Sequence, residues 1–255
     1  MNNGHIDVKE YKKRLREHIW RLLSERGVAT FPPPWGRIPN FRGAEAAAAK
    51  LFDLGEWRRA RIVKANPDSP QRWVRLATLR QGKLLVMATP RLHEGFILLD
   101  PKRIPSYLYE KASTIRGAFQ LGRVIGIDEL RSLGGIDFIV TGSVAVDRYG
   151  HRVGKGEGYA ELEYAIMREL GLVDEDTPIA TTVHDLQIVD HIPREPYDLT
   201  VDFIATPTRL IRVAERGPRP PGVIWELLPC EKLKEIPILV ELAKRKGVSR
   251  PCREH

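Results

Sequence analysis

The run of the sequence best suited to chemistry is rich in glycine and reads Asp147-Arg-Tyr-Gly-His-Arg-Val-Gly-Lys-Gly-Glu-Gly-Tyr159. It joins an apolar run that ends near Val146 to a predicted helix that begins near Tyr159. Such a junction exposes backbone N–H groups and the positive end of a helix dipole, and Lys155 adds a full positive charge. We therefore expect an anion site here, with phosphate as its natural ligand.

The glycine spacing excludes two familiar phosphate loops. A Walker loop places four residues between its first Gly and the Gly-Lys pair, whereas three separate Gly150 from Gly154 here, and Lys155 is followed by Gly156. The alternating glycines also differ from the G-x-G-x-x-G dinucleotide fingerprint. The alternative to an anion site is a flexible hairpin whose glycines only permit positive φ.

Two further sets of side chains are of types that could take part in chemistry. His184, Asp185 and Gln187 lie at a predicted strand end, where α/β sheets place functional groups. They are either a general acid with its neighbours or a structural polar cluster. Cys230 and Cys252 lack the spacing of metal ligands, so the sequence indicates neither a disulfide framework nor a zinc site.

The elements that must position these residues alternate between strand and helix. This order predicts an α/β fold with a mostly parallel sheet flanked by helices on both faces. The predicted strands are 61–66, 83–88, 123–127, 136–146 and 179–184, and the predicted helices are 8–26, 43–54, 69–80, 128–133 and 159–170. Asp7 is available to cap the first of these helices. A linker-like stretch at 217–222 precedes a predicted strand at 223–227 and a helix at 231–246.

Composition indicates a soluble globular protein with ample core. The 255 residues are 42% hydrophobic and 29% charged, and we find neither a membrane span nor a signal peptide. Few amides and many ion-pairing residues suggest a thermophilic source. The net charge of +8 divides into −10 for residues 128–202 and +18 elsewhere. That excess fits either a polyanionic partner or solvated surface cations.

Five blocks in the right order resemble the 5-formyltetrahydrofolate cyclo-ligase family, also called methenyltetrahydrofolate synthetase. They are Ile136-Asp-Phe-Ile-Val140, Val146-Asp-Arg-Tyr-Gly150, Arg152-Val-Gly-Lys-Gly-Glu-Gly-Tyr159, Lys12-Lys-Arg-Leu-Arg16 and residues 189–205. Further segments resemble the branch of methenyltetrahydrofolate synthetase domain-containing proteins: Arg37-Ile-Pro-Asn-Phe41, Val63-Lys-Ala-Asn-Pro-Asp68 and Ile236-Pro-Ile-Leu239.

The resemblance implies a Rossmann-like three-layer fold of the NagB/RpiA/CoA-transferase type. It places a cyclo-ligase-like domain at 1–213 and a C-terminal extension at 214–255 that packs on the same domain. It also implies a cytoplasmic enzyme that uses ATP and Mg²⁺ to convert 5-formyltetrahydrofolate to 5,10-methenyltetrahydrofolate, ADP and phosphate. A folate or related pterin is then the expected partner, no membrane is expected, and nucleic acid is possible but not favoured.

The family's functional residues map onto this sequence position by position. Nucleotide phosphates would bind Lys12, Arg16, Arg152, Val153, Gly154, Lys155, Gly156, Glu157, Gly158, Tyr159 and Ala160. Folate would contact Asp68 and the run Lys155, Gly156, Glu157, Gly158 and Tyr159, and magnesium would bind Glu161 and Asp198. The residues alone favour a different interpretation of Lys12 and Arg16, as two solvated cations on one helix face, and Asp198 has the alternative of a turn cap.

Three positions depart from the family pattern. Asp68 is an inexact counterpart of the acidic folate ligand that the family has after its early strand. Ala160 replaces an aromatic residue, and Glu161 stands where the family has Asp. These departures keep two alternatives open. The protein could bind nucleotide or RNA without cyclising folate, or it could act on another pterin.

Overall fold

An eight-stranded sheet runs through the centre of the protein in the computed structural model, which describes residues 7–253. The strands are β1 Ile62–Ala65, β2 Leu84–Ala88, β3 Phe96–Leu99, β4 Arg123–Ile125, β5 Phe138–Thr141, β6 Ala145–Asp147, β7 Arg152–Val153, β8 Ile179–Thr182, β9 Ile188–Val189, β10 Phe203–Ala205 and β11 Leu210–Arg212. The helices are α1 Val8–Glu25, α2 Ala44–Leu51, α3 Gly55–Arg59, α4 Arg72–Arg80, α5 Tyr109–Ala112, α6 Ile115–Leu121, α7 Ile127–Ser132, α8 Tyr159–Glu169, α9 Cys230–Glu235 and α10 Pro237–Lys246.

The central part of the large sheet is parallel, which confirms the predicted fold class. The strand order is β11-β10-β8-β5-β1-β2-β3-β4, and neighbours from β10 to β2 pair in parallel. Strands β11, β3 and β4 add antiparallel edges. Every residue of β1, β5 and β8 is buried, as expected for strands that are covered on both faces.

Helices cover both faces of this sheet, so the protein has three layers. On one face Trp57 packs against Phe138, with ring centroids 5.5 Å apart, and Phe138 stacks on Phe203 at 6.2 Å. On the other face α8 shares a core cluster with Trp225 and Leu239 of the C-terminal extension. Within residues 7–253, each helix is too short or too polar to cross a bilayer.

The strand predicted at 136–146 is wrong as a single element. It divides into β5 in the large sheet and β6 in a small sheet of order β7-β6-β9. The chain changes sheets at Gly142, where an added Cβ would lie 2.8 Å from Ile38 Cγ2. Glycine permits this close approach, so an apolar run that reads as one strand bends away from the large sheet.

The N-terminus of the first helix is capped by the side chain that precedes it. Asp7 was expected to cap the first helix, and its Oδ1 accepts hydrogen bonds from the backbone N–H groups of Lys9 and Glu10 at 3.0 and 3.2 Å.

The predicted strand at 223–227 is wrong, because Trp225–Leu227 forms a 3₁₀ turn. The helix predicted at 231–246 is broken at Pro237, which begins α10.

Cys230 and Cys252 form a disulfide, a pairing that the sequence did not indicate. They are 22 residues apart, and α10 lies between them in the chain. The returning chain pairs with the start of α9, where the N–H of Arg253 donates to the carbonyl of Leu228 at 2.7 Å. This proximity depends on tertiary packing, which cysteine spacing does not report.

We predict that Phe138→Ala lowers the free energy of unfolding by about 3–5 kcal/mol, because it removes a fully buried ring between Trp57 and Phe203. Urea denaturation followed by circular dichroism measures the change. The control is Tyr107→Ala, since Tyr107 is 81% exposed and should change stability by less than about 0.5 kcal/mol. Equal effects of the two substitutions would contradict this account of the core.

Candidate functional site

A cleft of about 620 Å³ lies where α1, the glycine run, the start of α8 and the C-terminal extension meet. Its volume is within the range of about 300–1,000 Å³ that ligand pockets occupy. The predicted site residues that line it are Lys12, Arg16, Arg152, Val153, Gly154, Gly156, Glu157, Gly158, Glu161 and Asp198. The structure thus brings together groups from α1, α8 and the 195–198 segment that are far apart in sequence.

Arg152 fastens the glycine run to the large sheet. Its guanidinium is buried and donates from Nη2 and Nε to the carbonyl of Gly142 at 2.7 and 3.2 Å. Nε also reaches Ser143 Oγ at 3.3 Å, while Nη1 forms an ion pair with Glu161 on the first turn of α8. One side chain therefore sets the position of the loop relative to the end of β5 and the start of α8.

Helix α1 lies over the glycine run and brings two cations to it. Arg16 Nε donates to the carbonyl of Gly154 at 2.7 Å, and burial lowers the pKa of Arg16. Lys12 is buried in an ion pair with Asp198, whose carboxylate also accepts the N–H of Glu195 at 2.6 Å. Neither cation is simply solvated, because both cross from α1 to the opposite wall of the cleft.

The glycines of the run have two different structural roles. Gly150 turns the hairpin between β6 and β7 at φ +75°, where a Cβ would lie 2.2 Å from Val201 O. Gly156, at φ +108°, lies beneath the guanidinium of Arg16, and Gly158 begins α8 without a capping side chain. The residues of the run that line the cleft are therefore 152–154 and 156–158, and the run ends at the N-terminus of α8, where the first N–H groups of a helix have no partner within the helix.

A buried carboxylate holds the hairpin before this loop. Asp147 Oδ1 accepts the N–H groups of Tyr149 and His151 at 2.9 and 3.0 Å. Its Oδ2 accepts the N–H of Ile192 at 2.9 Å and lies 3.0 Å from His151 Nδ1. Asp147 thus fixes the turn that delivers Arg152 and the glycines to the cleft.

Four predicted site residues do not line this cleft: Asp68, Lys155, Tyr159 and Ala160. Lys155 pairs with Glu157 at 2.7 Å. The ring of Tyr159 is covered by Lys232, whose Nζ lies 3.8 Å from the ring centroid, and its hydroxyl donates to Glu235 at 3.1 Å. Tyr159 therefore contacts the C-terminal extension through both its ring and its hydroxyl.

Asp68 lies beyond the end of β1 in a strongly basic environment. Burial raises the pKa of its carboxyl, while the positive charges of Lys155 and Arg75 oppose the rise. Arg75 also donates to the backbone carbonyl of Asp68 at 2.9 Å. Asp68 and Lys155 thus form an electrostatically coupled pair outside the cleft.

A buried ion pair near this site was missed by the sequence analysis. Lys64, 2% exposed on β1, pairs with Glu163 on α8 and donates to Asn66 Oδ1 at 2.8 Å. Burial raises the pKa of Glu163. A lysine inside a buried β-branched strand and a glutamate on the inner face of a helix are the signals that could have revealed it.

The cluster of His184, Asp185 and Gln187 has structural contacts. His184 Nδ1 accepts the N–H of Leu186 at 3.1 Å, and Gln187 donates to the carbonyls of Ser143 and Val144 at 3.0 and 3.1 Å. Asp185 accepts from the hydroxyls of Thr206 and Thr208. The geometry favours the polar-cluster alternative over a general acid.

A doubly covered parallel sheet with a cationic cleft at a glycine-capped helix defines an α/β protein with a candidate site for an anion. A model of the 5-formyltetrahydrofolate cyclo-ligase family matches residues 8–207. The chain belongs to this family. Its fold is similar to that of 5,10-methenyltetrahydrofolate synthetase from Aquifex aeolicus, with a TM-score of 0.50 and 19% identity over 81% of this chain and 94% of the other.

Two relatives that are longer than this chain have a higher sequence identity to it than the Aquifex aeolicus protein has. The chain is 43% identical over 240 residues to the methenyltetrahydrofolate synthase domain-containing protein of Mus musculus, and 42% identical over 240 residues to that of Homo sapiens. These matches cover 92% of this chain but only 63% and 62% of the two relatives. The chain therefore spans less than two thirds of the length of these relatives.

We predict that Lys12→Met lowers the free energy of unfolding by about 3 kcal/mol, because it leaves the Asp198 carboxylate buried without its cation. Thermal and urea unfolding measure the loss. The double variant Lys12→Met/Asp198→Asn removes the stranded charge and should recover most of it.

The control for this prediction is Lys13→Met, which changes an exposed lysine on the same helix and should be close to neutral. If Lys12→Met were no more destabilising than Lys13→Met, the ion pair would not hold α1 to the 195–198 segment.

Proposed function

We propose that this protein catalyses the ATP-dependent cyclisation of 5-formyltetrahydrofolate to 5,10-methenyltetrahydrofolate, with release of ADP and phosphate. The observation that carries the proposal is a single cleft that combines Lys12, Arg16 and Arg152 with the glycine loop that leads into the N-terminus of α8. Such a site neutralises and orients a polyphosphate chain, and phosphoryl transfer needs those two contributions more than it needs a protein nucleophile.

The residues present fit a nucleotide with magnesium. The carboxylates of Glu161 and Asp198 line the same cleft as the cations, and hard oxygen ligands of this kind suit Mg²⁺. When bound, the metal would neutralise charge on the phosphates. Since Glu161 pairs with Arg152 and Asp198 with Lys12, those cations are placed to exchange carboxylate partners for phosphate oxygens.

Asp68 and Lys155 suit the second substrate, because Lys155 belongs to the glycine run, its charge acts on the carboxyl of Asp68, and neither residue lines the cleft. A pterin held there and a nucleotide held in the cleft would meet at the loop. In the proposed reaction the formyl oxygen bonds to the γ-phosphorus and the bond to ADP breaks. N10 then attacks the activated carbon, loses its proton, and phosphate leaves with the formyl oxygen.

The proposed function predicts turnover by the purified protein when it is mixed with 5-formyltetrahydrofolate, ATP and Mg²⁺. Absorbance of methenyltetrahydrofolate and release of phosphate should rise together in a 1:1 ratio, and omission of ATP should abolish both. The proposal fails if a folded preparation that binds ATP, as measured by calorimetry, produces no methenyltetrahydrofolate.

We further predict that Arg16→Gln weakens ATP binding by about tenfold or more, because it removes a charged donor from the phosphate end of the cleft. Isothermal titration calorimetry measures the dissociation constant. The matched control is Arg14→Gln on the same helix, because the side chain of Arg14 is exposed and pairs only with Glu10 among the described residues. Equal loss in both variants would show a general charge effect instead of a site.

A second candidate function is nucleotide binding without cyclisation of folate. It is favoured because the cleft carries the cations and the glycine loop, whereas Asp68 and Lys155 lie outside it. ATP affinity without turnover would support this candidate. Salt-sensitive binding of single-stranded RNA would instead support a nucleic-acid partner, and its absence at low salt would exclude one.

A further inference from the structure

One wall of the cleft comes from the C-terminal extension, which lies beyond the family match at 8–207. The extension residues that line the cleft are Pro220, Gly222, Val223, Ile224, Leu227, Leu228, Pro229, Lys232 and Arg253. Most of them are apolar. The cleft is therefore completed by a segment that the phosphate-binding part of the fold does not itself provide.

The lining of the cleft combines two kinds of chemistry. Lys12, Arg16 and Arg152 bring positive charge, whereas Ile224 and Leu227 of the extension and Leu162 of α8 line the same cleft with apolar side chains. Leu227 is 37% exposed, so part of its side chain is available to a ligand. A fitting ligand therefore combines an anionic group with an apolar surface.

The apolar wall is held in place before any ligand binds. Trp225 is buried in the core cluster beneath it, and the N–H of Val223 donates to Glu169 Oε1 at 3.0 Å. The carbonyl of Leu228 accepts the N–H of Arg253 at 2.7 Å, and the Cys230–Cys252 disulfide closes the segment beside this bond. A wall fixed in this way can contribute to affinity without a large ordering cost.

We propose that the extension receives the base and ribose of the nucleotide whose phosphates bind the glycine run. This inference rests on the proposed function. Aliphatic side chains of Ile224 and Leu227 cover a face of the base, and Lys232 and Arg253 line the same cleft. The extension then distinguishes a nucleoside triphosphate from a bare polyphosphate, because only the former has an apolar surface to bury.

The test compares ATP, ADP and inorganic tripolyphosphate as calorimetric ligands of the full chain. Wild-type protein should bind ATP at least about tenfold more tightly than tripolyphosphate. Leu227→Asp should remove most of that preference by weakening ATP and ADP about tenfold while changing tripolyphosphate less than about twofold. Arg16→Gln, in contrast, should weaken both ATP and tripolyphosphate.

Two further variants keep the test interpretable. Val124→Asp places the same charge at a 44% exposed apolar position on β4, outside the cleft, and should leave every affinity unchanged. Leu227→Ser is a milder change at the same position, and it should reduce the preference for ATP if Leu227→Asp proves difficult to fold.

Several outcomes would overturn the inference. Equal affinity of the wild type for ATP and tripolyphosphate would do so, as would a Leu227→Asp variant that weakens both or neither. Loss of 5-formyltetrahydrofolate binding with intact ATP binding would mean that the wall receives the pterin. If the wall effect is found but no methenyltetrahydrofolate forms, the inference stands and the cyclisation proposal fails. If the wild type binds no ATP, both fail.

Discussion

A single buried guanidinium connects the parts of this protein on which the cleft depends. Arg152 joins the carbonyl of Gly142, at the end of β5, to Glu161 on the first turn of α8. Because a buried guanidinium has several N–H donors that need acceptors, the fold must supply partners for it. The bend at Gly142, the hairpin held by Asp147 and the glycine cap of α8 all serve this requirement. They place the loop amides and the cations of α1 in one cavity.

The charge pattern takes on a different meaning once the fold is known. The acidic segment 128–202 is partly neutralised by cations from outside it, through pairs that bring distant parts of the chain together. Among them are Lys12–Asp198, Lys64–Glu163, Arg216–Glu175, Arg219–Asp202, Arg245–Asp128 and Lys246–Glu169. Much of the positive charge outside that segment is therefore committed within the molecule. A count of charges along the sequence overstates what is free to attract a polyanion.

The sequence predicted features that depend on neighbouring residues. Asp7 caps α1 and the glycine run meets the start of α8, because capping and helical periodicity are local properties. Features that depend on distant residues were missed. The split of 136–146 depends on Ile38, and the Cys230–Cys252 pair depends on the packing of α10. For the site, resemblance found the loop and α1 residues, but it could not reveal the wall formed by the extension.

The C-terminal extension lies outside the family model but inside the folded core. The model ends at residue 207, yet Val223, Trp225 and Leu239 lie in the same core cluster as Ile166 of α8. A boundary drawn at the end of the model would leave a face of α8 open to water. The family model and the hydrophobic core therefore set different boundaries for the folded unit. Relatives that lack a counterpart of the extension must cover that face of the helix by another means.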